Sequence, residues 1–262
     1  MQVSSGEMAT RENRLRKQPC SLYNSCVRFV ARNLKRYKHA EFLDRIPPMI
    51  KNSIILNVTR AQKGFHDDEL LGMLLNRQLT RINLSSSTIT DETLLALAGQ
   101  CPNLKSLILT QGEYRFTGTG LAAVVQSFPL LEQLSVKECD LVDDAFVADL
   151  AHNCPQLDLL DLESCAHVTD ASAEAIKPLQ LTKLNLSRTK ISDEFLSAIA
   201  HERCGGTLED LNVGYCKISG AGLGKLPWET IKYIGFEGCE VDDLEFIGMN
   251  KNLKYIQWTI AN

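Results

Sequence analysis

The chain is 262 residues long, 44% hydrophobic, 23% charged and 6% aromatic, enough apolar material for a buried core and unlike the composition of a disordered chain. Eight Pro and 16 Gly exclude collagen-like and Pro/Gly-rich low-complexity sequence, and no apolar run approaches the roughly 18 to 20 residues a membrane span needs. The net charge of −4 conceals a split: residues 1–51 hold eleven Lys/Arg against four Asp/Glu, a local +7, which leaves −11 for the rest and predicts two regions with different tasks.

Residues 1–19 are polar and carry Arg and Lys without a signal-type apolar segment behind them, and are expected to form a disordered tail. Nothing directs the chain to the secretory pathway, so its nine cysteines are expected to be reduced thiols of a cytoplasmic or nuclear protein. Residues 20–75 are expected to be a basic helical block. There Leu22, Cys26, Phe29, Val30, Leu34 and Tyr37 follow one another at intervals of 4, 3, 1, 4 and 3, which is one apolar stripe of a helix. Arg28, Arg32, Lys35, Arg36 and Lys38 fall mainly off that stripe. Two roles fit: a cap over the open core of a following solenoid, or a docking helix. Aromatic residues do not interleave the basic ones as they do in nucleic-acid grooves, so neither a nucleic acid nor a membrane is the expected partner.

Two local patterns favour docking. Ser21-Leu22-Tyr23-Asn24-Ser25-Cys26-Val27-Arg28-Phe29-Val30 resembles the elongin C-binding box: a small residue, Leu, three variable positions, Cys, three variable positions, then an aliphatic. Twenty residues after Cys26, Ile46-Pro47-Pro48-Met49-Ile50-Lys51-Asn52-Ser53-Ile54 resembles the cullin-2 box, with Pro47-Pro48 positioned to start a second helix. The resemblance implies that Leu22, Cys26, Phe29, Val30, Ile46, Pro47, Ile50 and Ile54 contact a ubiquitin-ligase assembly. A rival reading takes residues 40 to 75 as a degenerate F-box, also led by Ile46-Pro47, that binds Skp and cullin-1. This segment lacks the Trp and Cys of a strong F-box.

Residues 76–262 are expected to be a repeat domain. The pattern L-x-x-L-x-L starts at Leu79, Leu104, Leu131, Leu157, Leu181, Leu208, Ile231 and Leu253, with spacings of 22 to 27 residues, inside the range of leucine-rich repeats. Alternation as in Leu184-Asn185-Leu186 predicts a strand with one buried face. Ile89-Thr90-Asp91, Val168-Thr169-Asp170 and Ile191-Ser192-Asp193 then predict helix N-caps. The expected fold is α/β: a right-handed leucine-rich-repeat horseshoe of about eight strand-helix units with an N-terminal helical cap. Cys139, Cys165, Cys216 and Cys239 stand ninth in their repeats, where a thiol can fill the inward turn and bond a backbone carbonyl. Cys101 and Cys154 precede Pro at a helix end, and Cys204 holds a related place. No C-x-x-C and no ligand-spaced His cluster calls for a metal or any other cofactor. In repeat two, Thr110 to Gly120 is expected to protrude as a loop at the rim.

The Cys-containing repeat resembles those of F-box ubiquitin-ligase receptors over residues 79 to 258. The whole chain, from Cys26 to Tyr37 through Pro47-Pro48 to Tyr255-Ile256-Gln257-Trp258-Thr259, resembles the animal homologues of the antagonist of mitotic exit network protein. These resemblances imply a substrate receptor of a ubiquitin ligase that feeds proteasomal degradation, a monomer within a larger complex. The alternative they imply is direct inhibition of a mitotic-exit signalling protein. An extended concave sheet suits a protein segment, and side chains alternating with the buried leucines would meet it: Arg81, Lys137, Asp161, Glu163, Lys183, Asp210, Tyr233, Glu237 and Tyr255, with Tyr215 beside them. Tyr215, Tyr233 and Tyr255 are the expected anchors. No catalytic motif is present: Ser219-Gly220-Ala221-Gly222-Leu223-Gly224-Lys225 fails both phosphate-loop patterns, so a binding protein rather than an enzyme is expected.

Overall fold

The computed structural model describes residues 22–38, 42–61, 64–110, 113–242 and 252–257; the expected tail at 1–19, Cys20, Gly112 and Trp258 lie outside them. Among the described residues four helices come first: α1 (Leu22–Arg32), followed by a 3-10 turn (Leu34–Tyr37), then α2 (Phe42–Arg45), α3 (Pro48–Arg60) and α4 (Asp68–Leu74). Each repeat then adds one strand to a single sheet: β1 (Arg81–Asn83), β3 (Ser106–Leu109), β5 (Gln133–Val136), β6 (Leu159–Asp161), β7 (Lys183–Asn185), β8 (Asp210–Asn212), β9 (Tyr233–Gly235) and β10 (Tyr255–Gln257). These eight strands are all parallel and lie in chain order, and the short β2 (Thr88–Thr90) and β4 (Glu113–Arg115) pair separately. Helices α5 (Asp91–Gln100), α6 (Gly118–Ser127), α7 (Asp144–Asn153), α8 (Ala173–Ile176), α9 (Asp193–Ile199) and α11 (Gly220–Leu223) stack beside one another behind the sheet, with α10 (Arg203–Thr207) packed on α9.

The repeat pattern builds this directly. The register places Ile82, Leu107, Leu134, Leu160, Leu184, Leu211, Ile234 and Ile256 in one row across all eight strands. All but Ile256 are fully buried in the one continuous core. That core runs from the N-terminal helices to the last described turn, as expected of a solenoid in which each unit covers its neighbour.

After each strand the chain turns through the eighth residue of the repeat, and that residue takes a left-handed conformation every time it is described: Ser86, Glu138, Ser164, Arg188, Tyr215 and Gly238, with φ from 56 to 69 degrees. An Asn or Asp side chain in the strand supports the turn by accepting the N–H two residues on, as Asn83 does from Ser85 at 2.8 Å and Asn212 from Gly214 at 3.0 Å. The ninth residue then points inward. Cys165, Cys216 and Cys239 donate their thiols to the carbonyls of Val136, Leu186 and Val213, at 3.1 to 3.2 Å. Each acceptor belongs to the preceding repeat, so the thiols join units as well as fill space. Ser87 and Thr189 stand at the same position, both buried; Ser87 Oγ accepts the Phe65 N–H at 2.8 Å.

A second stitch runs along the helix N-termini. The expected caps Thr90, Thr169 and Ser192 are in place, and Asp143 and Ser219 act in the same way: each accepts a backbone N–H from the first helical turn that follows it. The aspartate that follows a cap reaches the next repeat. Asp91 accepts Thr117 N–H and Oγ1–H, both at 2.9 Å. Asp144 does the same to Thr169, Asp170 to Ser192, and Asp193 to Ser219. These carboxylates satisfy the cap of the following unit as the cap satisfies its own helix.

Two expectations change. The loop of repeat two does not protrude: Glu113–Arg115 forms β4 and pairs in parallel with β2 (Thr88–Thr90). Phe116 is buried, and the Tyr114 hydroxyl donates to the Leu109 carbonyl, the position a ninth-residue thiol takes in other repeats. The helical stripe of α1 also divides. Val27 and Leu34 are buried, with Val30, Ala31 and Tyr37 packed against them, whereas Leu22, Cys26 and Phe29 face solvent. The capping role falls mainly to α3, whose Ile54, Ile55 and Val58 are buried and which packs on β1. Lys51 Nζ reaches the Met73 carbonyl at 2.6 Å and fixes α3 against the end of α4.

The stitch leads to two expected outcomes. A Cβ on Gly222 would lie 2.1 Å from Asp193 Oδ1, so Gly222→Ala displaces the carboxylate that Asp193→Ala removes. Each variant should lose about 1–2 kcal/mol in urea unfolding, and the double variant should lose much less than their sum. Hydrogen bonds from the Thr117 backbone, working against desolvation and helped by the Thr117 hydroxyl and Gly120, hold the Asp91 carboxyl below its usual range. Its contribution is therefore complete above the unfolded-state value near pH 4 and is lost as pH falls through the folded value. The urea midpoint should drop on acidification below about pH 4, less so in Asp91→Asn.

Candidate functional site

The face of the sheet opposite the helices is a lattice of three rows. The first is Arg81, Ser106, Gln133, Leu159, Lys183, Asp210, Tyr233 and Tyr255; the second is Asn83, Ile108, Ser135, Asp161, Asn185, Asn212, Gly235 and Gln257. A third, at the turn, includes Ser85, Thr110, Lys137, Glu163, Ser187, Gly214 and Glu237. With strands about 4.8 Å apart, the rows extend on the order of 34 Å, long enough for an extended peptide of about ten residues.

The charged candidates are brought together, and mostly with one another. Lys137 lies 3.0 Å from Asp161 and 2.7 Å from Glu163 at the centre of the sheet. Burial works against the Lys137 charge, but the two carboxylates outweigh it and hold its pKa above the ordinary lysine value. Ser135 and Asn185 complete this cluster, donating to Asp161 and Glu163. Lys183 approaches Asp210 at 3.7 Å across the next strand pair, both largely exposed, where such a pair contributes little. A shallow hollow of about 220 Å³ opens there between β6, β7 and β8. Arg81, Tyr233 and Tyr255, by contrast, make no side-chain hydrogen bond or ion pair among the described residues, and both tyrosines are exposed.

Tyr215 is held from three sides. Its ring carries the Arg188 guanidinium at 4.0 Å from the ring centre. Its hydroxyl donates to Glu237 at 2.8 Å, which raises the phenol pKa. Its flat face covers Gly238, where a Cβ would lie 2.5 Å from the ring. Gln257 donates to the other oxygen of Glu237 at 3.1 Å. Arg188, Tyr215 and Gly238 are successive left-handed turn residues, so the turn geometry stacks them. Neither Arg188 nor the left-handed turn was legible in the sequence, because six different repeats put Ser, Glu, Ser, Arg, Tyr and Gly at that position.

At the N-terminal end α3 overhangs the sheet. Between Asn52, Leu56 and Thr59 on the helix and Arg81, Ser106 and Ile108 on the first strands lies a hollow of about 510 Å³. Sequence reasoning assigned α3 to ligase docking and missed this wall of the concave face. The docking candidates themselves separate. Leu22, Cys26 and Phe29 are exposed on one face of α1. Val30, Ile46 and Ile50 are half-buried against the core, and Pro47 is exposed as the N-cap of α3. Ile54 is fully buried; it is a core residue of the block and is not available to a partner. Among the described residues no group of three or more His, Cys, Asp or Glu is placed to hold a metal ion, and no helix is long and apolar enough to cross a membrane.

A parallel sheet built one strand per repeat, backed by helices and closed by inward thiols, defines a leucine-rich-repeat solenoid. Comparison with known proteins agrees. A family profile described as "Leucine Rich repeat" matches residues 75–98, 180–200 and 207–226. Among solved structures, internalin C2 from Listeria monocytogenes is similar with a TM-score of 0.53 at 19% identity, over 82% of this chain and 84% of that one. TLR13 in its complex with ssRNA13 is similar at a TM-score of 0.46 and 17% identity, over 72% of this chain and 26% of that one.

Burial raises the thiols of Cys101 and Cys154 to about 11 and those of Cys165 and Cys204 to about 12, and little thiolate is present at neutral pH. Iodoacetamide at pH 7.5 should therefore modify Cys26 quickly and spare these four until denaturant is added, as read by peptide mass spectrometry. Gly238→Ala should lower stability by about 1 kcal/mol or more, since the new methyl meets both positive φ and the Tyr215 ring, and it should shift the Tyr215 ring resonances.

Proposed function

We propose that the chain is a non-catalytic adaptor, which docks a cullin-type ubiquitin ligase through α1 and holds a protein substrate on its concave sheet. The observation that carries this reading is the exposure of Leu22 at 81% and Phe29 at 59%, with Cys26 between them. At spacings of four and three these side chains share one helix face, while Val27, with Val30 and Ala31 packed beside it, anchors the helix to its own core. An exposed apolar i, i+4, i+7 face is the form in which helices are taken into a partner's groove, and it coincides with the segment that resembles the elongin C-binding box. Leucine-rich-repeat domains bind protein partners, and the exposed Tyr233 and Tyr255 supply rigid contact area at small entropic cost. Cytoplasmic or nuclear residence accords with this role.

Affinity purification from cells tests it. Recovery of elongin C and cullin-2, reduced on the order of tenfold by Leu22→Ala with Cys26→Ala, is the expected result; both side chains are exposed, so the fold survives their truncation. Recovery of Skp and cullin-1 instead would move docking to the helices at 42–74. Recovery of neither, with a mitotic-exit regulator retained, would replace the ligase by direct inhibition.

A further inference from the structure

A second, differently built site lies on the other side of α1. Residues 22–38 contain five Lys/Arg and no Asp or Glu. A cavity of about 530 Å³ opens between the C-terminal end of α1, the 3-10 turn and the segment leading into α4, with Arg32, Lys35, Arg36, His66 and Asp67 on its walls. It continues, through shared walls at Ala31, Arg32 and Val58, into a smaller hollow of about 290 Å³ lined by Arg28, Arg32 and Arg60. The one acid on these walls is already engaged: Asp67 lies 2.7 Å from Lys38, which also holds Glu69 at 3.0 Å. His66 bonds Thr88 Oγ1 through Nδ1 at 3.0 Å. Arg32, Lys35, Arg36 and Arg60 make no ion pair or side-chain hydrogen bond among the described residues.

A plainer role for two of these cations is to complement helix dipoles, since Arg32 closes α1 and Arg60 closes α3. Each helix C-terminus presents about half a negative charge, so two ends call for about one cation. The crevice holds four without an ion pair among the described residues, Arg32, Lys35, Arg36 and Arg60, and their mutual repulsion leaves a focused positive field in a concave wall.

We propose that this crevice binds a phosphate-bearing ligand. Three of these four cations are arginines, whose planar forks match phosphate oxygens in pairs, where a lysine offers only a point charge. The cavity has the size of a compact ligand site. Among the described lining residues Phe65 is buried and the one other ring, the His66 imidazole, is bonded to Thr88 Oγ1, so no Phe, Tyr or Trp ring is offered for the base stacking by which single-stranded nucleic acids are held. The concave shape likewise does not suit a planar bilayer surface. Phosphate in this form comes from a free polyphosphorylated small molecule or from a phosphorylated side chain of a partner protein, and the site is independent of what α1 docks or the sheet holds.

Calorimetric titration of the full chain with inorganic triphosphate at about 0.15 M salt tests the site. Saturable binding is expected, weakened about tenfold or more by Arg32→Ala with Arg60→Ala and unchanged by Lys217→Ala, an exposed cation on the distant repeats. Circular dichroism verifies that the variants are folded. A phosphoserine peptide that displaces triphosphate, where its serine counterpart does not, assigns the source to a modified protein; failure to displace assigns it to a free polyphosphate. Absence of saturable binding, equal weakening by Lys217→Ala, or retention only on anionic vesicles or single-stranded RNA overturns the proposal.

Discussion

No repeat of this chain can close its own core. A three-residue strand and one short helix leave an aliphatic row and a ring of backbone groups open on both sides, and only the next unit covers them. Hydrogen bonds make that dependence specific. Inward thiols bond carbonyls of the preceding repeat, and where an aspartate follows a cap it bonds the cap of the next unit. Each carboxylate therefore holds a backbone N–H and a hydroxyl that would otherwise be unsatisfied at a helix start. Register, the left-handed turns and the rows of exposed side chains on the sheet all follow once neighbours are fixed in this way.

The repeat was legible because its information is periodic. Leucines at fixed offsets specify strand, face and register together, and Thr90, Thr169 and Ser192 mark helix starts by their chemistry. The ninth-position cysteines could be placed inside, and a carbonyl partner foreseen, because a small apolar donor suits only such a corner. What stayed hidden is relational. An aspartate after a cap looks the same in sequence whether it serves its own helix or the next repeat. The stripe on α1 was ambiguous for a related reason: Val27 and Leu34 define one face, Leu22, Cys26 and Phe29 another, and both are apolar. Packing against α3 chose between them. In repeat two the glycines suggested a loose loop, yet Tyr114 and Phe116 tie the segment down by a hydroxyl bond and by burial.

The candidate sites differ in how they arise from the same framework. On the sheet, the functional rows are a by-product of strand alternation, so their positions were legible, but their state was not. Lys137, Asp161 and Glu163 neutralise one another, while Arg81, Tyr233 and Tyr255 remain available. The N-terminal block works differently. Its exposed apolar residues lie on the first helix, whereas its basic residues are spread over that helix, the 3-10 turn and the end of α3. The overhang of α3 joins this block to the first strands and makes the concave face closed at one end and lined by tyrosines at the other.

The run of aspartate stitches is interrupted. Asp68 reaches Thr90 and Asp91 reaches Thr117, but Gly118 follows that cap and offers no carboxylate to repeat three. The run resumes at Asp144, passes through Asp170 and Asp193, and stops again at Gly220. Among the described residues the carboxylate tie between neighbours is thus missing at two places, between repeats two and three and after repeat six. At the first of these places the two units are joined instead by the four-residue pairing of β3 with β5, by α6 against α7 and by the Lys105–Glu132 ion pair.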